Sequence, residues 1–483
     1  MTLGKALRAC YLWKGKNDFL KAQLHVCIIL AIAFVGNNWP HSYPRNDNHS
    51  PKMFWAMNGA LLVAAMASLK HEPSDRMTVL SRHQTEEWKG WMQWAFILYH
   101  YYRAYFAYNE IRVFVSAYVW MTGFGNFLYF DKKRDFSWER LISMWLRINY
   151  FPLLLCLVVG VPLELFYIVP LHTVAFFLTF AACYLADILE TKYGVNYWKS
   201  RIFALLTMLV TLVAFYETSL KNALLLFGQE GSKEYLFRFS SDKYTAWVGM
   251  LNGLFWKKCG DFCSWAYGVT TPEDHGCRNR LSARCIGWLQ RIVGLLLITF
   301  WYINFGYIQD KLKYNPLHPF VFFLPIYGWL MIRNSSKYLT EVHSTALDFF
   351  GKITLETYTL QFHIFMCKNV QHIPVVIPGS GVDGSAILKF LNMLLCGVIF
   401  ITVAVWARKV TVTTQTTVVE LFREVSRKEN GDEDEETIIT KPADTSKNVT
   451  GSQVRVPLGE EMSSLVRNKD KAEIELQERE SKE

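Results

Sequence analysis

The sequence predicts an all-α, polytopic integral membrane helical bundle of about 10–12 spans, followed by a disordered acidic tail. Apolar residues make up 51% of the 483 residues and charged residues only 19%, where a soluble domain carries about a quarter. Mean hydropathy is +0.11, which indicates that lipid is part of the solvent. Residues 408–483 hold 13 Lys+Arg and 17 Asp+Glu, a net charge of −4. Because the whole chain has a net charge of +9, residues 1–407 have a net charge of +13. These values argue against a soluble globular protein.

Membrane spans are predicted where about 20 residues avoid charge, because a central charge costs about 2.5–3.5 kcal/mol on insertion scales. The runs that meet this condition are 20–36, 54–69, 111–130, 141–159, 161–184, 201–217, 289–308, 317–332 and 386–407. Weaker runs, either short or interrupted by polar groups, lie at 91–105, 244–256 and 351–370. We expect these weaker runs to be buried helices or partial insertions.

The distribution of basic residues predicts the orientation of the chain in the membrane. Lys and Arg are concentrated in the N-terminus, in the loops at 70–89, 131–140, 192–201, 257–284 and 333–352, and from residue 408 onward. Cytoplasmic loops are rich in basic residues, so we expect both termini to be cytosolic. The predicted organisation is a cytosolic N-terminus (1–19), a multi-span domain (20–407) and a disordered cytosolic tail (408–483).

Sequons provide a probe of that orientation. Asn48 lies in the first predicted lumenal loop and begins an Asn-His-Ser sequon, although Pro51 directly after it weakens acceptance. The sequons at Asn334 and Asn448 fall on the predicted cytosolic side, and we expect neither to be glycosylated.

Ionisable side chains within the predicted spans are the candidates for chemistry. His100, Arg112, His172 and His363 lie amid apolar neighbours, and Glu356 precedes His363 by seven residues, on one helix face. At membrane depth such groups face a cavity or each other, although a single histidine is often a packing residue. Histidine, carboxylate and arginine could support acyl transfer from coenzyme A, with basic loops holding the phosphorylated donor. A proton-coupled transporter uses the same residue types, and the residues alone rank the two equally.

Several long motifs resemble a known family, the ten-transmembrane acyltransferases. The motifs are HQTEEWKGWMQ (83–93), YHYYRA (99–104), YNEIRVFVSAYVWMTGFGNFLYF (108–130), PLHTVAFF (170–177) and GKITLETYTLQFHIF (351–365). The family includes fungal capsule O-acetylation proteins, plant Reduced Wall Acetylation proteins and the animal sialic acid O-acetyltransferase. The likeness covers roughly residues 10–410.

The resemblance implies a membrane O-acetyltransferase of the Golgi that uses cytosolic acetyl-CoA, as a substrate and not as a bound cofactor, to acetylate lumenal glycans. The implied catalytic residues are His363, His172, His100, Glu356 and Arg112, and the implied substrate-binding residues are Glu87, Lys89 and Asn109. Arg147, a further charge within a predicted span and near its lumenal end, is added as a substrate-binding candidate. Within this set we expect His363 or His172 to be the base. Glu356 would orient that base, and Arg112 would stabilise the developing negative charge on the thioester oxygen.

One departure from the family leaves the final step open. The animal and fungal members carry a lumenal SGNH-type domain with a Gly-Asp-Ser motif and a later Asp-x-x-His, and neither pattern occurs in this sequence. Transfer to a glycan or sialic-acid-type acceptor could therefore require a separate lumenal SGNH-type transferase, with this chain acting as an acetyl-CoA or acetyl carrier. A scaffold role would not explain histidines at membrane depth.

Other partner classes are not predicted, apart from membrane lipid. The four cysteines at 259, 263, 277 and 285 lack the paired spacing of a zinc site, so no metal site is expected. Nucleic-acid binding is not expected either, because the basic residues are divided among several loops.

Overall fold

A computed structural model describes residues 3–38, 44–46, 48–74, 79–218, 220, 229–267, 277–381 and 383–429. Two short strands occur in these ranges, β1 (Leu69–His71) and β2 (Val342–Ser344), and nearly all other ordered elements are helical. The α-helices are α1 (Leu3–Asn38), α2 (Pro51–Ala67), α3 (Arg82–Tyr101), α4 (Tyr108–Lys133), α5 (Trp138–Val159), α6 (Ile168–Thr191), α7 (Tyr197–Glu217), α8 (Gln229–Ser241), α9 (Thr245–Ala266), α10 (Cys277–Trp301), α11 (Lys311–Val321), α12 (Phe323–Arg333), α13 (Lys337–Glu341), α14 (Thr345–Lys352), α15 (Thr354–Leu360) and α16 (Ala386–Glu429). The predicted all-α class is confirmed.

Seven stretches of the described residues are long and apolar enough to cross a membrane. They are Asn17–Asn38, Tyr105–Lys133, Trp138–Val159, Ile168–Thr191, Tyr197–Glu217, Arg284–Gly306 and Ala386–Glu424. Each of them overlaps an apolar run that the sequence singled out. The prediction of a multi-pass membrane bundle is therefore confirmed.

The predicted runs 54–69, 244–256 and 317–332 are not among these seven stretches. The run 54–69 corresponds to α2, which has 17 residues, and the run 244–256 is part of α9, which has 22. The run 317–332 is divided between α11 and α12, because Pro325 has no N–H to donate to the carbonyl of Val321.

The run 351–370 also differs from a single helix. The helix α15 ends at Leu360, and the next five residues, Gln361–Phe365, form a π-helix. Three successive residues, Lys368, Asn369 and Val370, then adopt left-handed backbone conformations with φ of 50–57°. Chain reversal at this point ends the span.

Polar residues at the helix ends explain several boundaries. Ser81 caps α3 through a reciprocal pair of hydrogen bonds with Gln84, which satisfies two backbone N–H groups of the first turn. Ser137 caps the start of α5 in the same position, and Gly160 ends that helix with a left-handed conformation at φ 72°.

The helices α3 and α14 pack with their backbones in direct contact. Gly90 of α3 lies against the carbonyl of Leu347, and Gly351 lies against the carbonyl of Glu86. A Cβ at either glycine would overlap that carbonyl oxygen, so only glycine allows this approach. The close approach places the polar residues of α3 beside the residues that follow α14.

A short antiparallel ribbon joins distant parts of the sequence outside the spans. In it β1 pairs with β2, with Lys70 opposite His343. The ribbon holds the start of α3 next to the start of α14 and so forms one edge of the site described below.

The helix α16 corrects the predicted boundary of the tail at residue 408. This helix continues to Glu429, and its residues Val410, Thr411, Thr414 and Thr417 are buried. The basic residues Arg408 and Lys409 that indicated a loop are instead carried on a helix whose inner face packs on the bundle. The remainder of the predicted tail, residues 430–483, lies outside the described residues.

Candidate active site

A cavity of about 460 Å³ opens between α3, α4, α5, α6 and the start of α15. This volume is within the range of sites that bind small molecules and cofactors, about 300–1,000 Å³. Its polar lining consists of Arg82, Glu86, Lys89, Gln93, Tyr118, Arg147, His172, Lys352, Thr354 and Arg408. Apolar side chains, among them Phe96, Val115 and Ile168, complete the walls.

The charge of the lining is strongly basic. Arg82, Lys89, Arg147, Lys352 and Arg408 contribute five cationic groups, and Glu86 is the single carboxylate that lines the cavity. Three of the cations already have carboxylate partners, because Lys89 pairs with Glu86 at 2.7 Å, Arg147 with Glu356 at 2.6 Å and Lys352 with Asp348 at 2.6 Å. A cavity with this excess of positive charge suits an anionic ligand.

Two arginines remain for such a ligand. Among the described residues, the guanidinium groups of Arg82 and Arg408 have no ion pair or hydrogen bond to protein. Arg82 begins α3 and Arg408 lies on α16, and both belong to stretches that the sequence predicts to be cytosolic. Arginine presents a planar fork of donors that matches phosphate oxygens.

The predicted residue His172 lies in this cavity with a defined hydrogen bond. Its Nδ1 is 2.6 Å from Oγ1 of Thr122, which in turn donates to the carbonyl of Tyr118 at 3.1 Å. Thr122 donates its one hydroxyl proton to that carbonyl, so its oxygen must accept a hydrogen bond from Nδ1–H of His172. The other ring nitrogen, Nε2, therefore carries a lone pair, and no described residue forms a hydrogen bond with it.

Lys89 is the second predicted residue that the structure brings to this cavity. Its side chain lines the same cavity as His172 and forms an ion pair with Glu86, one helical turn earlier. The carbonyl of Lys89 accepts a hydrogen bond of 2.7 Å from the hydroxyl of Tyr118, which fixes α3 against α4. A cation beside an unprotonated imidazole is an arrangement that can stabilise an oxyanion while a base removes a proton.

Arg147 also lines the cavity, where it pairs with Glu356. The sequence had predicted a different partner for Glu356. Both guanidinium Nη atoms donate to Glu356, at 2.6 and 3.3 Å, and Thr411 of α16 donates to the same carboxylate at 3.3 Å. Glu356 was expected to orient His363. The π-helix that begins at Gln361 changes the angular spacing along the chain, so the two side chains do not share one face.

His363 has its own environment outside the cavity. Its Nδ1 lies 3.2 Å from Oδ1 of Asn37, which also accepts the N–H of Lys368 at 2.9 Å. Its Nε2 is buried and has no hydrogen-bond partner among the described residues. The neighbouring ring is that of Phe166, with centroids 5.8 Å apart.

His100 lies one helical turn beyond the floor of the cavity. Its ring contacts Phe96, which lines the cavity, at a centroid distance of 4.6 Å, and Phe362 at 5.5 Å. Its Nδ1 is buried without a hydrogen-bond partner in the described part of the chain. The structure therefore does not bring the three predicted histidines into one chamber, and only His172 lines this cavity.

Arg112 was expected to stabilise the thioester oxygen, but it belongs to a separate buried network. Its guanidinium pairs with Asp242 at 2.7 Å, and Asp242 also accepts a short hydrogen bond from Ser116. Ser116 lies 2.7 Å from Nε2 of His318, whose Nδ1 is 2.8 Å from the hydroxyl of Tyr314. This network links α4 to α11, and none of its residues lines the cavity.

Glu87 and Asn109 are likewise held by protein partners away from the cavity. Glu87 pairs with Arg333 at 3.3 Å and accepts the N–H of Ser344 at 2.8 Å, which anchors the ribbon to α3. A second π-helix, Tyr302–Gly306, follows α10, and Asn109 caps it by donating to the carbonyls of Phe305, Gly306 and Ile308. Neither was predicted to have a structural role.

The sequence did not single out Arg82, Tyr118, Lys352 or Arg408 for the site. Arg82, Lys352 and Arg408 were assigned to loops and used only for orientation. The sequence did contain a pattern that could have identified them. Basic residues at the ends of several spans can meet in one site where those spans converge on the same side of the membrane.

The chain is similar to known membrane acyltransferases. The family model described as a "10 TM Acyl Transferase domain found in Cas1p" matches residues 14–428. The chain is 30% identical over 348 residues to the N-acetylneuraminate (7)9-O-acetyltransferase of Danio rerio, with 69% of this chain and 42% of that protein covered. The chain therefore spans less than half the length of this relative. No solved structure matches the chain.

Proposed function

This chain belongs to the ten-transmembrane acyltransferase family, and we propose that it is an O-acetyltransferase that uses acetyl-CoA. In this proposal the donor enters the basic cavity from the cytosol, and the acetyl group is supplied to glycans in the Golgi lumen. Both termini are then cytosolic, as the distribution of Lys and Arg predicts.

The observation that carries the proposal is the position of His172 in a cavity lined by cations. Coenzyme A carries several phosphate negative charges, and Arg82 and Arg408 have donors available for phosphate oxygens. A donor held there would place its thioester deeper in the cavity, beside the apolar side chains and His172. Arg82 and Arg408, at the rim of the cavity, then bind phosphate, while His172, deeper in the cavity, transfers the proton.

The reaction follows from the tautomer of His172. Nε2 removes the proton of the acceptor hydroxyl as its oxygen attacks the thioester carbonyl, which forms the new C–O bond. Lys89 stabilises the negative charge that develops on the carbonyl oxygen. The C–S bond then breaks, and the coenzyme A thiolate takes the proton from the imidazolium, so that ester and free thiol are the products.

The test is coenzyme A release by the purified full chain supplied with acetyl-CoA and an N-acetylneuraminate acceptor. We expect His172→Ala to lower the rate by about 10²–10⁴-fold, the contribution of a general base. The matched control is His25→Ala, because His25 lies in a span, exposed on the bundle surface against Trp406. Full activity in the His172→Ala variant would contradict the assignment.

A second candidate function is an acetyl carrier that feeds a separate lumenal transferase. It is favoured by His363, whose Nε2 is buried without a hydrogen-bond partner among the described residues and is available to a second site. Sealed proteoliposomes with labelled acetyl-CoA outside distinguish the two functions. A carrier accumulates label inside without an acceptor, whereas an enzyme requires the acceptor and forms an acetyl ester.

A further inference from the structure

We propose that the ribbon at the start of α3 contains a zinc site formed by His83, His343 and Glu72. Two histidines and one carboxylate, with water as fourth ligand, make one of the common ligand sets of Zn²⁺. The site lies outside the cavity, and the proposal does not depend on the acetyltransferase function.

The three ligand groups already converge. One ligand atom from each lies within 4.8 Å of the other two. Nε2 of His83 is 3.8 Å from Oε2 of Glu72, and the rings of His83 and His343 are stacked with centroids 4.4 Å apart at 18°. Ligands about 2.0–2.2 Å from a tetrahedral ion are little more than 3 Å apart. The two rings must therefore rotate out of their stacked arrangement to direct both nitrogens at one ion, and Glu72, which pairs with Lys70 at 2.9 Å, must turn toward them.

Asp348 provides the support that a metal-binding histidine needs. Its Oδ1 is 3.2 Å from Nδ1 of His83, and its Oδ2 is held by Lys352 at 2.6 Å. An aspartate bound to Nδ1 fixes the proton there and directs the lone pair of Nε2 toward Glu72. This carboxylate–histidine arrangement is the usual second shell of protein zinc sites.

The backbone around the ligands is held by contacts of its own. His343 is part of β2, whose pairing with β1 sets its position, and Glu72 follows β1 directly. The N–H of Glu72 donates to the carbonyl of Glu341 at 2.9 Å, and the Glu341 side chain accepts the N–H of Ser74 at 2.9 Å. Glu72 and His83, which are near each other in the sequence, are thus brought together with the distant His343 without the metal.

The ion would also act on the edge of the cavity. His83 follows Arg82 in the sequence, and Asp348, which supports His83, is paired with Lys352. Two of the cations that line the cavity are therefore close to the ligands. Zinc would hold the start of α3 and the ribbon of β1 and β2 in a fixed relation.

The experiment is zinc binding to the full chain in detergent, purified without a histidine tag and stripped with a chelator. Zinc per protein is measured by mass spectrometry of the metal and affinity by titration with ZnCl₂. We expect one ion, with affinity lowered at least about tenfold in His83→Ala and about 10–100-fold in Asp348→Asn. Glu72→Gln should weaken binding as well.

The matched control is His71→Ala, because His71 lies on the same ribbon, is about half exposed and is bonded to Glu341 instead of the cluster. Its affinity for zinc should equal that of the native chain. His343 is buried, so His83→Ala, whose side chain is 43% exposed, serves as the primary variant.

Substitution of Co²⁺ tests the identity of the ligands. A tetrahedral Co²⁺ spectrum without a thiolate charge-transfer band supports nitrogen and oxygen ligands. A thiolate band would assign the ion to cysteine and overturn the proposal, as would zinc binding that is unchanged in His83→Ala or a native chain that binds no zinc.

Discussion

Arg147 and Glu356 form a two-pronged ion pair, with Nη1 and Nη2 of the guanidinium 2.6 and 3.3 Å from the two carboxylate oxygens. The carboxylate is 1% exposed and the guanidinium 19%. This pair joins α5 to α15 at the wall of the cavity, and Thr411 extends it to α16. Three helices of the site therefore depend on one buried carboxylate.

Removal of one partner of this pair should destabilise the protein strongly. We expect Glu356→Ala to lower the free energy of unfolding by about 3–5 kcal/mol, because it leaves the Arg147 charge unpaired. The double variant Arg147→Met/Glu356→Met should recover much of that loss. The measurement is thermal unfolding in detergent, with Lys337→Ala, an exposed helical pair partner, as a control within about 0.5 kcal/mol. Equal stability of the single and double variants would contradict the expected pairing.

Thr122 should act as a positioning residue for His172. Thr122→Val removes the acceptor that selects the Nδ1–H tautomer, so we expect kcat of acetyl transfer to fall about tenfold, the value of one hydrogen bond. The KM for acetyl-CoA should stay unchanged, because Thr122 does not line the cavity. Thr122→Ser keeps the hydroxyl and should restore kcat. A loss of stability without rescue by serine would indicate a structural role only.

The free arginines at the rim should determine donor affinity. We expect Arg82→Gln and Arg408→Gln each to raise the KM for acetyl-CoA about tenfold with little change in kcat, since phosphate binding is the same in the ground and transition states. The effect should shrink in high salt, which screens exposed charges. Lys132→Gln, an exposed change on the same predicted side of the membrane, is the control. An unchanged KM in both variants would place the donor elsewhere.

Glycosylation should report the orientation of the chain. We expect peptide N-glycosidase to shift the mobility of the protein expressed in eukaryotic cells, and Asn48→Gln to abolish that shift. Pro51→Ala should raise the occupancy, because it removes the residue that hinders acceptance. Asn334 is 1% exposed and accepts the N–H of Leu80, so Asn334→Gln should have no effect on mobility. A shift that depends on Asn334 would reverse the predicted topology.

The ribbon should lose stability in acid through Glu341. Burial alone would raise the pKa of this carboxyl group, but hydrogen bonds from the Ser74 N–H and from His71, with Lys337 nearby, lower it below its usual 4.5. A lowered pKa in the folded state stabilises the protein above pH 4.5, and that stabilisation is lost as the pH falls through the folded-state pKa. The difference in unfolding temperature between the native chain and Glu341→Gln should therefore be largest near neutral pH and shrink below about pH 4. A difference independent of pH would contradict this assignment.

The sequence by itself determined the class of the protein. Apolar runs of span length cannot remain in water, so stretches such as 20–36 and 201–217 had to become membrane helices, and the long motif at 108–130 indicated the family. His172 and Arg147 were found as site candidates for a related reason, because polar groups at membrane depth are costly unless they face a cavity or a partner. Lys89 was identified only through the resemblance to the family.

Only the tertiary structure decided which polar groups meet. Periodicity placed Glu356 and His363 on one face, but the π-helix at Gln361 separates them, and Arg147 from another helix takes the carboxylate. Arg112 pairs with Asp242, 130 residues later in the sequence. Arg408 lines the cavity because the inner face of α16 packs on the bundle. A local pattern gives the direction of a side chain along its own helix. Its partner depends on how separate helices pack, which is set by contacts such as that of Gly90 with Leu347.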